Sequence, residues 1–284
     1  MRLKICLWVI VASLLPIVSF AQDQDKSLVR ELYVKSGMEE QFGQLPPYLQ
    51  ANLDQVANES DQAQKLPLSF LTAMRASIPV AFAPEKIKEA VLAELSEKLT
   101  PQDIKEILQW LDSPLGKKCT QLEEAASTPE AQAEMPQFVA HLKEVPPTPE
   151  RLEALRELDS ATKGTDIAVE TALQTGFAVV FAVNSTLPKE RQSSPDTVLL
   201  EMEKSRLAIE AEVKSLILTN HLYTYKTLTE AEIGRYTDFS KSAIGLKYST
   251  AGIAAIRKVF LECAVKWGKL IGNAIQELKG GSEA

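Results

Sequence analysis

Histidine is nearly missing from this chain: His141 and His221 are the only two in 284 residues. Neither stands in an HExxH run or a Cys/His cluster, so the donor spacing of a zinc site does not occur. Glycine is scarce as well, 12 residues in all, and none of it forms a phosphate-cradling or dinucleotide-binding loop. No GxSxG nucleophile turn is present. The sequence thus assigns no metal ligand, no cofactor and no catalytic residue. Basic side chains do not predominate either, with 31 Lys and Arg against 38 Asp and Glu. No basic cluster interrupts that balance. It argues against nucleic acid as a partner, because affinity for phosphates comes mainly from Lys and Arg. Aromatic residues make up 6% of the chain, which does not advertise a large adhesive surface.

The N-terminus begins MRLKICLWVIVASLLPIVSFAQDQD. Arg2 and Lys4 supply a positive segment, Ile5 to Val18 an apolar one, and Ser19 and Ala21 place small residues before Gln22. That order of parts predicts a secretory signal peptide over residues 1–21, cleaved between Ala21 and Gln22. The competing reading is an uncleaved membrane anchor. Ile5 to Ala21 are 17 uncharged residues, at the lower edge of the roughly 17–25 that span a bilayer. Pro16 and the polar QDQD favour cleavage. Cys6 opens the apolar run instead of following it, which argues against a lipidated N-terminus. Cleavage would leave 263 residues with a net charge of −9, enough for one large or two modest domains. Cys119 and Cys263 would then be the remaining cysteines. In an oxidising compartment they either pair as a disulfide or stay as two buried thiols, and sequence leaves both open.

Apart from that leader, the chain reads as all-α. Apolar residues recur at three- and four-residue spacing, as at Ile104, Ile107, Leu108 and Leu111, and helix-favouring residues abound. The stretch 171–184 contains β-branched residues, but its length and its lack of turn signals predict a buried helix. Pro46 and Pro47 are expected to open a helix. The run VPPTPE (145–150) predicts a stiff connector followed by a helix capped near Thr148. The expected organisation is a signal peptide (1–21), a helical domain (22–145), a connector (146–150) and a second helical domain (151–284).

The two halves repeat one another. Arg30-Glu31-Leu32 recurs as Arg156-Glu157-Leu158, 126 residues on, and Gly37 aligns with Gly164 after one inserted residue. Residues 99–118, LTPQDIKEILQWLDSPLGKK, recur as 228–247, LTEAEIGRYTDFSKSAIGLK, at an offset of 129. Thr100 and Thr229 are placed as helix N-caps, with Asp103 and Glu232 three residues on to complete capping boxes. Trp110 and Phe239 are the large anchors of the apolar stripes. Ser113 then caps a second helix that Pro114 begins. In the second copy Ser242 precedes Ala243, and a continuous helix stays open there. Gly116 costs about 1 kcal/mol in a helix relative to Ala, so its recurrence as Gly245 predicts a close backbone or ring neighbour. Matching order with small drift is what a tandem duplication leaves. At more than 100 residues the repeat is domain-sized, too long for a solenoid unit.

A capped L-[ST]-x-x-[DE]-[IL] helix ending in an aromatic and S-P-x-G-K-K resembles the core signature of an exported bacterial family. That family is the domain of unknown function numbered twenty-fifty-nine. The match runs through Trp110, Ser113, Pro114, Gly116, Lys117 and Lys118, and the second copy departs from it at Ala243 and Leu246. The resemblance implies an all-α protein of the bacterial envelope. It brings no reaction, cofactor or catalytic residue.

These observations favour a non-enzymatic binding or assembly module, periplasmic or secreted. A groove between helices would accept an envelope protein, a peptide or an apolar ligand, with oligomeric state left open. Two other readings stand beside it. One is an envelope hydrolase with an acid–base site around His221, Tyr223, Tyr225 and Glu232. The other is a membrane-associated protein that keeps its N-terminal anchor.

Overall fold

Helix-favouring composition without turn-bounded strand signals gives thirteen α-helices and no strand among the described residues. These are residues 15–59, 68–185 and 189–280 of a computed structural model. Before the connector lie α1 (Leu15–Lys35), α2 (Met38–Glu59), α3 (Leu68–Ala81), α4 (Pro84–Lys98), α5 (Pro101–Leu111), α6 (Pro114–Ala126) and α7 (Pro129–Glu144). After it come α8 (Pro149–Thr162), α9 (Gly164–Ser185), α10 (Pro195–Lys204), α11 (Arg206–Thr224), α12 (Glu230–Lys241) and α13 (Ala243–Gly280). Residues 1–14 of the expected leader lie outside the described residues, while Ala21 and Gln22 fall within α1. Among the described residues no helix is long and apolar enough to cross a membrane.

Proline marks many of the starts. Pro84, Pro101, Pro114, Pro129 and Pro149 each sit in a first turn, where the missing N–H has no intrahelical partner to lose. Thr148 caps α8 by accepting a bond from the Arg151 N–H. The expectation for Pro46 and Pro47 is corrected: α2 starts at Met38 and runs through both. Neither proline can donate to the carbonyl four residues back, so Phe42 and Gly43 lose that partner.

The packing of each half follows the same order. α5 packs on α1 as α12 packs on α8, and α2 meets α3 and α4 as α9 meets α10 and α11. Between halves, α6 packs on α11 and α12, while α13 packs on α4 and α5. The 38-residue α13 then continues along α3 and α9. The tight turns at the start of each half also correspond. Gly37 (φ 75°) and Lys163 (φ 63°) both adopt left-handed backbone, 126 residues apart. Lys163, and not Gly164, is thus the residue with left-handed backbone at the Arg-Glu-Leu offset from Gly37. Gly164 answers to a different constraint, since a Cβ there would lie 2.7 Å from Asp159 Oδ1.

Both hydrophobic clusters draw on residues from each side of the connector at 146–150. One joins Leu32, Ile78, Leu95 and Ile107 to Phe177, Ala255 and Ile271. The other joins Leu115 and Cys119 to Leu155, Leu158, Leu222 and Ile233. The halves therefore interlock through shared cores.

The two cysteines sort into different clusters, Cys263 into the first and Cys119 into the second. Both are buried and free, which corrects the disulfide alternative in favour of two thiols. Burial pushes the Cys119 thiol up to about 12 and the Cys263 thiol up to about 11. Native protein should therefore react slowly with a thiol reagent at neutral pH, and both cysteines should label rapidly in denaturant. Rapid labelling of the native protein would contradict this placement.

Candidate functional site

The repeated motif builds the same helix–break–helix corner twice. Thr100 accepts from the Asp103 N–H while the Asp103 carboxylate accepts from the Thr100 N–H at 2.7 Å, a complete capping box. Thr229 and Glu232 repeat it, with the Thr229 N–H at 2.8 Å from Glu232 Oε2. Ser113 then caps α6 by accepting from Gly116 N–H at 2.9 Å, and Ser242 caps α13 by accepting from Gly245 N–H at 3.1 Å. The second occurrence of the motif therefore breaks at Ser242 although it lacks the proline. At each corner the glycine lies against the end of the preceding helix. A Cβ on Gly116 would stand 2.1 Å from the Trp110 carbonyl oxygen, and one on Gly245 2.0 Å from that of Phe239.

The two corners face each other with reciprocal contacts. Trp110 and Phe239 stack with ring centroids 4.4 Å apart and planes 7° from parallel. Lys118 donates to Glu232 at 2.8 Å, and Lys247 donates to Asp103 at 2.5 Å. Each lysine thus engages the capping carboxylate of the opposite half, the i-to-j and j-to-i pattern of a two-fold interface. Lys117 instead lies 3.6 Å from Asp112.

These pairs carry a pH dependence. The Lys247 ammonium, then the Thr100 hydroxyl and N–H, hold the Asp103 carboxyl down at about 2. Lys118, then the Thr229 N–H, hold Glu232 at about 2 as well. A carboxyl depressed on folding stabilises the folded state above its unfolded value, and that stability is lost as pH falls through the folded value. The denaturation midpoint should therefore drop between about pH 4 and pH 2. A Lys118→Met, Lys247→Met double variant should show a shallower drop over the same window; an unchanged slope would contradict the assignment.

Behind the stacked rings lies a cavity of about 310 Å³. Its lining includes six pairs of positions at the motif's offset of 129. They are Trp110 with Phe239, Leu111 with Ser240, Gly116 with Gly245, Cys119 with Tyr248, Thr120 with Ser249, and Glu123 with Gly252. The cavity therefore straddles the relation between the halves. Phe42, Ile256 and Phe260 add apolar wall. A second, wider cavity of about 540 Å³ adjoins it, and the two share Gln41, Glu123, Thr162, Ile167 and Tyr236. Gln44, Gln132, Asn220 and His221 make the wider one more polar.

Glu123 stands where the cavities meet. Tyr225 and Tyr236 both donate to its Oε1, at 2.7 and 3.0 Å. Burial raises the Glu123 carboxyl above its ordinary range, opposed by those two hydroxyls. Burial likewise raises both phenols well above theirs. The loop carrying Tyr225 is held by Arg151, whose guanidinium donates to the carbonyls of Tyr225 and Leu228 at 2.5 and 2.6 Å. Sequence reasoning passed over Glu123 and Tyr236. A usable signal existed in the repeat itself, where the chemistry of paired positions diverges: Glu123 against Gly252, and Tyr236 against Ile107.

Of the residues expected around an acid–base site, His221, Tyr223 and Tyr225 line the wider cavity together, and Glu232 does not join them. His221 lies in the wider cavity with its ring centroid 5.4 Å from that of Tyr225, and no side chain among the described residues bonds its buried Nδ1. Burial lowers its pKa, favouring the neutral ring. Glu232 is committed to Thr229 and Lys118 and lines a different pocket, beside Trp110 and Arg235. The Tyr223 hydroxyl donates to Glu134 at 2.7 Å. Among the described residues no group of three or more His, Cys, Asp or Glu could hold a metal ion.

Residues 85–143, spanning α4 to α7, match a family described as "Uncharacterized protein conserved in bacteria (DUF2059)". This segment, which carries Trp110, Ser113, Gly116 and Glu123, is similar to that family. No curated protein and no solved structure matches the chain.

Proposed function

We propose that this protein is an exported binding module, made by internal duplication, that holds one small apolar ligand between its two halves. The observation that carries the reading is the cavity of about 310 Å³ lined by equivalent positions of both halves. It falls in the size range of small-molecule sites, and apolar side chains such as Phe42, Trp110, Ile256 and Phe260 share its wall with hydroxyls such as those of Ser36, Thr120, Ser240 and Ser249. Duplication is supported by the recurring caps, by the matching glycine approaches and by the reciprocal Lys118–Glu232 and Lys247–Asp103 contacts. Export is supported by the charged, apolar and small-residue order of residues 1–21. Sequencing of the protein recovered from the envelope should start at Gln22; a start at Met1 would favour the anchored alternative.

Gly252 provides the test of the binding reading. It lines the cavity from within α13, and a Cβ added there meets nothing within 4 Å. Gly252→Leu should project side chain into the empty space and gain helix propensity of about 1 kcal/mol. Calorimetric titration with n-octanol should show one site in the wild type and none in Gly252→Leu, whose thermal midpoint is maintained or raised. No octanol binding by the wild type, or equal binding by both, would overturn the reading.

A further inference from the structure

Glu123 breaks the symmetry of the cavity. Its equivalent in the other half is Gly252, so the paired lining presents one carboxylate and no second group to match it. It is the only acidic or basic side chain among the described lining of the inner cavity. In the wider cavity His221 is the one titratable nitrogen among the described lining, and burial favours its neutral form. Among the described residues no Lys or Arg forms an ion pair with Glu123, although the chain has 31 of them. Both tyrosine hydroxyls go to Oε1, and no hydrogen bond to Oε2 is present among the described residues. Glu123 is half-buried and lines both cavities, so its carboxylate can still take a cationic partner there.

The carboxylate suits one kind of partner. Trp110 and Tyr236 line the inner cavity with Glu123 but stack on one another, with centroids 5.8 Å apart. An ammonium beside the carboxylate gains a charge-assisted hydrogen bond. An anionic head group would meet the carboxylate as a like charge. A neutral hydroxyl would satisfy an oxygen without offsetting its charge.

Building on the apolar-ligand reading, we propose that the cavity selects an organic amine. Its apolar body fills the inner chamber, and its ammonium group pairs with Glu123 where the two chambers meet.

Four probes with one tail and different heads test this on the full mature protein by calorimetric titration: n-octylamine, octyltrimethylammonium, n-octanol and octanoate. Octylamine should bind at least about tenfold more tightly than octanol, reflecting a charge-assisted bond in place of a neutral one. Octyltrimethylammonium should also exceed octanol, and octanoate should bind most weakly. In Glu123→Gln the preference for amine over alcohol should disappear. Equal affinities for octylamine and octanol in the wild type would overturn the amine inference and leave the apolar site standing. Failure of all four probes would overturn both. An amine preference that survives in Glu123→Gln would place the cation elsewhere and overturn the assignment. If Glu123→Gln does not fold, the wild-type head-group series still decides.

Discussion

Replacing Gly116 by alanine is expected to destabilise the protein by about 3 kcal/mol or somewhat more, and Gly245→Ala by a similar amount. The expectation comes from what the added carbon would meet. At Gly116 it would lie 2.1 Å from the Trp110 oxygen, 2.9 Å from its carbonyl carbon and 3.0 Å from Leu111 Cα. All three are backbone atoms, so no rotamer change relieves the overlap. The carbonyl is also engaged, since Trp110 O accepts from Ser113 N–H at 3.0 Å. Phe239 O is held twice, by Ser242 N–H at 3.0 Å and by the Ser242 hydroxyl at 2.6 Å. The remaining escape is to separate α5 from α6, or α12 from α13, and to open the corner that lines the cavity. Gly234→Ala is the internal comparison. It lies inside α12 with nothing within 4 Å of an added methyl group, so the change should stabilise by about 0.5–1 kcal/mol. Urea denaturation followed by helical circular dichroism distinguishes the two classes. Equal effects at Gly116 and Gly234 would remove the close-approach explanation.

Trp110→Ala should cost about 3 kcal/mol, the lower end for a large aromatic because this ring is only partly buried. Trp110 packs against both hydrophobic clusters, so its loss affects the junction between them. It also loses its stacked partner Phe239 and its neighbour Tyr236. Phe239→Ala should cost a similar amount. The double variant should be less destabilised than the sum of the single ones, with a coupling of about 0.5–1.5 kcal/mol for the stacked pair. The cycle is measured from the denaturation midpoints of the wild type and the three variants. Strict additivity would mean that the rings contribute independently, and that the facing of the two corners rests on the lysine–carboxylate pairs instead.

The parts of this molecule legible from sequence are those whose causes lie within a few residues. A cap needs a hydroxyl and a carboxylate three positions apart, and Thr100–Asp103 and Thr229–Glu232 have them. Pro114 suits the first turn of a helix, and the stripe from Ile104 to Leu111 follows helical spacing. Gly116 and Gly245 were legible as close approaches because a glycine inside a helix needs a reason. Where local rules misled, longer-range packing outweighed them. Pro46 and Pro47 sit inside α2 because the helix is already established from Met38. For Cys119 and Cys263 the sequence left a bridge and two thiols both open, and burial in separate clusters decided for thiols.

By itself, then, the sequence determined the all-α class, the capped corners and the recurrence of one motif in two places. Capping and helical periodicity act over three or four residues and need no knowledge of the fold. Only the tertiary structure decided that the corners face each other, that Lys118 and Lys247 exchange partners, and that a cavity lies between the halves. It alone brought Glu123 to Tyr225 and Tyr236, which stand 102 and 113 residues away. No local rule links residues so far apart. Their meeting depends on α6 crossing to the second half and packing against α11 and α12.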